Sequence, residues 1–165
     1  MLRKLAIPAL LALAGACADP SAVDSDAQDG LVLAVTASSA SVTPGDTLRL
    51  VAHLANRNEF PVRLGFSSSC QVLPYVEGPD GEIVYPHGGG WVCATVLSSL
   101  ELAPGEVKEQ VFKWTAQRSG HDRQTSRPVY TPLPKGEYRA YVVLNGSSER
   151  GTVTLRSNTE KVTVR

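Results

Sequence analysis

The residues with chemical reach in this 165-residue chain are few: Cys17, Cys70 and Cys93, then His53, His87 and His121, and the serine run Ser67–Ser69. The histidines fall on separate segments. The chain holds no Gly-x-Ser-x-Gly elbow, no His-Glu-x-x-His pair and no Gly-Lys-Ser/Thr phosphate loop, so the common nucleophile, zinc-hydrolase and nucleotide motifs are missing. Ser67–Ser69 reads as hydroxyl chemistry at a strand end, where short polar side chains bond nearby backbone. The expectation is a non-enzymatic protein with no cofactor.

The cysteine count is odd. In an oxidising compartment two cysteines pair and one is left over. Cys17 follows an apolar leader, so it is the one with another fate. Cys70 and Cys93 then remain for a disulfide across the Gly78–Gly81 turn. Closing such a loop would stabilise the fold by roughly 3 kcal/mol in the chain-entropy picture. The rival is a zinc set of Cys70 and Cys93 with His87 and His121. Neither Cys-x-x-Cys nor zinc-type histidine spacing is present, and no metal is expected.

The leader itself is MLRKLAIPALLALAGAC. Two cations, an apolar stretch from Leu5 to Ala14 and small residues make the three-part layout of a secretory signal over residues 1–16. The apolar stretch is shorter than the roughly 20 residues a membrane span requires. Ala14-Gly15-Ala16 fits ordinary signal-peptidase cleavage. Leu13-Ala14-Gly15-Ala16-Cys17 also resembles a lipoprotein box, with the leucine one place further out than usual. On that reading Cys17 is lipidated and anchors the chain. The expected location is the cell envelope, facing periplasm or exterior.

Residues 17–30 are small and acidic, with Asp19, Asp24, Asp26 and Asp29. Without apolar periodicity they read as a flexible tether. Their spacing does not match a calcium loop. These aspartates are four of the 16 acidic residues, and Arg3 and Lys4 are two of the 16 basic ones. The remaining domain, residues 31–165, is therefore nearly neutral. It lacks the basic stripe that nucleic-acid binding requires.

That domain reads as strand after strand. Leu48, Leu50, Ala52 and Leu54 alternate with Arg49, Val51 and His53, the period of a half-buried strand. Val62, Leu64 and Phe66 repeat it. Thr43-Pro44-Gly45-Asp46, Gly78-Pro79-Asp80-Gly81 and Ala103-Pro104-Gly105-Glu106 are turns. Trp91–Leu102 reads as one or two strands, and Gln117–Arg127 as a long exposed loop. Eight to ten short strands predict an all-β, immunoglobulin-like antiparallel sandwich.

Two loops are candidates for binding. His87-Gly88-Gly89-Gly90-Trp91 combines backbone freedom with a large aromatic beside a cysteine. Trp91 could anchor a partner, or it could be core packing with the glycines easing a crossing between sheets. Gln117–Arg127 carries Arg118, Arg123 and Arg127 beside His121-Asp122. It would suit an acidic partner or a protease cleaving after arginine, or be solvated surface.

Several signatures recur in a recognisable order. Asn56 precedes Phe60-Pro61-Val62-Arg63-Leu64-Gly65-Phe66-Ser67-Ser68-Ser69, followed by Gly78-Pro79-Asp80-Gly81-Glu82-Ile83-Val84-Tyr85. Trp91, Leu102-Ala103-Pro104-Gly105-Glu106, Trp114 and Leu133-Pro134-Lys135-Gly136-Glu137-Tyr138 complete the series. From about Leu48 to Leu144 the chain resembles the intracellular proteinase inhibitor (BsuPI-type) domain family. The resemblance implies an immunoglobulin-like sandwich and a protein partner such as a protease. Leu73-Pro74-Tyr75 stands where the family has an aromatic-Asp-aromatic triplet. The alternative expectation is a structural or adhesion module of the envelope with no protease target.

Overall fold

The computed structural model describes residues 27–121, 124–125 and 127–165. The expected signal, Cys17 and most of the tether lie outside the described residues. The fold is all-β, with fourteen strands among the described residues. They are β1 (Ala27–Gln28), β2 (Leu31–Ala37), β3 (Ser41–Val42), β4 (Leu48–Asn56), β5 (Val62–Phe66), β6 (Val72–Glu77) and β7 (Ile83–Tyr85). After them come β8 (Ser98–Leu102), β9 (Val107–Trp114), β10 (Gln117–His121), β11 (Pro128–Pro132), β12 (Gly136–Ser148), β13 (Gly151–Arg156) and β14 (Glu160–Val164).

One sheet runs β1-β2-β4-β9, antiparallel throughout. The other is built on β12, the longest strand. β14 and β13 follow one another along one edge of β12, and β6 and β5 along the opposite edge. β8 extends β5, β7 extends β6, and β3 adds in parallel to β14. The apolar alternation read in the sequence is the inward face. Leu48, Leu50, Ala52 and Leu54 of β4 meet Tyr138, Ala140, Val142 and Leu144 of β12 in one buried core. Trp114 packs on Tyr138 at 5.7 Å between ring centroids. The Tyr138 hydroxyl donates to the Pro134 carbonyl at 2.8 Å, the tyrosine-corner geometry of immunoglobulin-like sandwiches.

The folded part begins before Leu31. Ala27 pairs with Val32 and Gln28 with Leu31 around the two-residue turn Asp29-Gly30. Both turn residues have positive φ, 52° and 73°, the conformation for which Asp-Gly is suited. A Cβ on Gly30 would also lie 2.4 Å from the Asn58 side chain. Residues 27–30 of the expected tether thus belong to the sandwich. Gln117–Arg127, expected as a loop, instead contributes β10, which pairs with β11 from Gln117↔Pro132 to His121↔Pro128. Its polar side chains hid a strand that pairs through its backbone with β11 and through Arg118 with Glu82. Trp91–Leu102 is strand only from Ser98.

Two of the connections that cross between the sheets converge on Asn56. β4 passes to β5, and β8 returns to β9, beside this fully buried side chain. Asn56 Nδ2 donates to the carbonyls of Phe60, Leu102 and Ala103 at 2.9, 3.2 and 3.1 Å. Its Oδ1 accepts from the backbone N–H of Asn58 at 3.0 Å and from that residue's amide at 2.9 Å. The turn it holds, Ala103-Pro104-Gly105-Glu106, closes by Glu106 N–H to Ala103 O at 3.0 Å. Gly105 takes φ +72°, as the third position of a type II turn demands.

Removing this amide strands several buried polar groups together. Asn56→Ala is expected to lower stability by about 3 kcal/mol. Asn56→Asp should cost a similar amount, because it turns an acceptor toward three carbonyls. Urea unfolding of the variants checks both.

Candidate functional site

The site region lies where two irregular segments meet at one end of the second sheet. The first is Ser67–Gln71, between β5 and β6. The second is Pro86–Leu97, between β7 and β8. Cys70 and Cys93 are joined by a disulfide, with Cα atoms 5.7 Å apart. Both sulfurs are thereby consumed, so the zinc alternative has no thiolates. The side chain of His121 lies outside the described residues.

The serine run does the remaining fastening. Ser69 N–H donates to Ala94 O at 3.0 Å, and Ala94 N–H donates to Ser69 Oγ at 3.1 Å. Ser98 Oγ donates to Ser68 O at 2.8 Å and accepts from Gln71 Nε2 at 3.3 Å. The second segment is therefore fixed at Cys93, Ala94 and Ser98. Between those points Val96 N–H donates to Ala94 O at 2.9 Å and bends the chain at Thr95.

The expected binding loop sits just upstream. His87–Gly89 forms a single 3-10 turn, and Gly88 and Gly89 have φ of 77° and 76°. His87 and the three glycines are exposed. Trp91 is half-buried. Its indole N–H donates to Pro74 O at 3.1 Å, and its ring meets Tyr85 edge-on at 5.3 Å. Trp91 therefore lies outside the main core, yet its polar atom is committed to the fold. Proline is suited to this edge of β6, since it lacks the N–H that would be left unpaired.

What stands clear of the surface is the next stretch. Val92 is 99% exposed, Val96 51% and Leu97 85%. The sequence reading took this stretch for strand. Its break from period two, with Cys93 in the middle, was the available sign of an irregular extended segment. An aliphatic surface this open gains almost nothing from folding and would gain on being covered. Its backbone is pinned by covalent and hydrogen bonds, so its shape is set before any partner arrives.

Other groupings are explained by the fold. Glu82 and Arg118 form a two-bonded ion pair. The hydrogen bond and charge of Glu82 hold the Arg118 guanidinium above its ordinary range. This arginine is thus engaged within the molecule, while Arg123 lies outside the described residues. On the outer face of the second sheet Tyr75 stacks on Tyr141 at 5.5 Å, and the Arg156 guanidinium lies 3.8 Å from the Tyr141 ring. Glu77 pairs with Arg139 at 3.2 Å. Burial, then the neighbouring Glu77, pushes the Tyr141 hydroxyl above the usual phenol range.

On the outer face of the first sheet, Thr36 Oγ1 lies 3.3 Å from His53 Nε2, and His53 Nδ1 lies 3.2 Å from Glu109 Oε1. The order hydroxyl, imidazole, carboxylate resembles a nucleophile relay. Here Thr36, His53 and Glu109 come from the three paired strands β2, β4 and β9. They form a cross-strand ladder on an exposed sheet face.

Sandwich and site together define an immunoglobulin-like domain that presents a disulfide-braced, apolar surface segment. Residues 35–149 match the family described as BsuPI, intracellular proteinase inhibitor, and the chain belongs to that family. No curated protein matches the chain in sequence. Among solved structures it is similar to a CARDB domain from Pyrococcus furiosus solved in complex with di-metal ions. The identity is 16%, over 82% of this chain and 87% of that one, with a TM-score of 0.44. It is also similar to the C-terminal domain of wzt, at 10% identity over 88% and 79% of the two chains and a TM-score of 0.47. A β-glucosidase from Listeria innocua in complex with laminaribiose aligns at 17% identity and a TM-score of 0.41, with 81% of this chain covering 16% of that one.

The bridge spans a sequence separation of 23 residues, which corresponds to about 3 kcal/mol of stabilisation by loop closure. Reduction, or Cys70→Ser with Cys93→Ser, is expected to lower stability by that order. Maleimide should label the described domain's cysteines only after reduction. Thermal or urea unfolding with and without reductant measures the loss.

Proposed function

We propose that this protein is an exported, non-enzymatic inhibitor that occupies a protease through the segment Val92–Leu97 and its neighbours His87–Trp91. The observation that supports this most directly is the pairing of near-complete apolar exposure with a pinned backbone in a chain of an inhibitor family. A protease cleft binds extended peptide. A segment whose backbone is already fixed loses little conformational entropy on entering it. The block needs no covalent step. Resistance to cleavage comes from the same pinning, because cut ends held by Cys93, Ala94 and Ser98 do not diffuse apart.

Export and anchoring are part of the proposal. The leader, the odd cysteine count and the lipoprotein-like box support lipidation at Cys17 and an acidic tether over residues 17–26 on the membrane surface. In such a compartment the Cys70–Cys93 bridge would stay oxidised.

The purified protein, mixed with a panel of serine proteases, is expected to slow at least one at micromolar concentration. Prior reduction should weaken that effect by about tenfold or more, through loss of preorganisation. A folded, oxidised protein that slows none of them would exclude the inhibitory reading for that panel. Intact mass of the mature protein tests the anchor: a lipid adduct on a chain beginning at Cys17 is expected, and a bare Cys17 would remove it.

A further inference from the structure

The inhibitory reading, on which the following rests, does not say which proteases fit. We infer that the partner is a protease with an apolar, aliphatic-accepting primary specificity pocket, and that Leu97 is the side chain that fills it.

The first argument is composition. Val92-Cys93-Ala94-Thr95-Val96-Leu97 carries no charge and no aromatic ring. A pocket built around a carboxylate for arginine or lysine would bury that carboxylate unpaired against this segment. A deep aromatic pocket would be left part-empty. A shallow aliphatic pocket matches valine or leucine in both polarity and volume.

The second argument is position. Leu97 follows the bend at Thr95 and directly precedes Ser98, which is fastened to Ser68 and Gln71. On the other side Ala94 is fastened through both its backbone groups to Ser69. Leu97 thus projects from a short span with both ends fixed, and it is 85% exposed. It borders a shallow groove with the small residues Gly65, Ser67, Ser99 and Ser147, and with Arg63 and Phe66. The small residues leave room for the rim of an enzyme cleft beside Leu97.

Val92 is the competing candidate, at 99% exposure. The residue after it is the bridged Cys93, and the residue before it is Trp91, already bound to Pro74 and Tyr85. A cleft closing on Val92 would have to accommodate both. Leu97 is followed by a serine and preceded by a valine, which demand less space.

The test uses the purified, oxidised protein against elastase-type, chymotrypsin-type and trypsin-type enzymes, whose pockets take aliphatic, aromatic and basic side chains. The wild type is expected to block the elastase-type enzyme about tenfold more strongly than the others, the scale of discrimination that pocket fit supplies. Leu97→Arg should lose about tenfold against that enzyme and gain inhibition of the trypsin-type one. Val92→Arg, within the same segment, should weaken inhibition of all three enzymes alike, so that their ranking is kept. Both sites are exposed, and matching melting temperatures check that the variants fold. If the protein inhibits but Leu97→Arg leaves its profile as it was, or Val92→Arg shifts it instead, Leu97 is not the pocket residue and the inhibitory reading stands. If no enzyme of the three is slowed, the aliphatic assignment is overturned. The broader panel then decides the inhibitory reading separately.

Discussion

The two crossings that carry the chain into and out of the site region are held together by a single carboxamide. Asn56 is fully buried, and its hydrogen bonds reach the loop that leaves β4 and the loop that enters β9. Those loops are the crossings that begin and end the excursion from one sheet to the other. Everything in the site region, β5 through β8, lies between them in the chain. A buried polar group with all its partners in place favours one geometry, since any shift of the sheets leaves a donor or acceptor unpaired in a low-dielectric core. The hydrophobic core supplies cohesion without direction. Asn56 supplies the direction.

The open side of the sandwich uses the same chemistry. Asn158 Oδ1 accepts from Val35 N–H at 2.8 Å, and its Nδ2 donates to Val35 O at 2.9 Å. Reciprocally, Gln28 Nε2 donates to Thr152 O and Gln28 Oε1 accepts from Thr154 N–H, each at 2.9 Å. Each amide side chain stands in for one residue of a neighbouring strand. β2 and β13, in opposite sheets, are thereby capped along edges that would otherwise present unpaired backbone. Ser157 bridges the break between β13 and β14 in a similar way. It exchanges two bonds with Val142, at 2.9 and 3.0 Å, so β12 is satisfied where its neighbour changes strand.

How much of this could be read in the sequence depends on whether an interaction leaves a periodic or local trace. β4 and β5 were legible because alternation records which side chains face the core. The turns at Gly45, Gly81 and Gly105 were legible because positive φ selects glycine. The Cys70–Cys93 bridge followed from counting. Asn158 with Val35 and Gln28 with Thr154 were not legible, because a side-chain amide meeting backbone more than a hundred residues away has no repeating pattern. Asp29-Gly30 was a hairpin signal of the ordinary kind, obscured by the acidic run before it. β10 was hidden for a different reason: Gln117–His121 pairs only with β11, so no apolar face was needed to form it.

The exposed segment Val92–Leu97 shows why a candidate site can be less legible than its scaffold. Selection for a core places apolar residues where period and burial agree. Val92, Val96 and Leu97 break that rule, since they are aliphatic, β-prone and exposed. Left free, such a stretch would collapse onto the sheet or add to an edge. The disulfide, the Ser69–Ala94 pair of bonds, the Trp91 contact with Pro74 and the Ser98 contact with Ser68 oppose this by fastening the chain on both sides of the exposed side chains. The stability needed to hold an apolar stretch in water comes from the sandwich beneath it. Trp91, a candidate in the sequence, and the serine run, read there as strand-end hydroxyl chemistry, serve as fasteners, and the side chains they leave outside are the exposed ones.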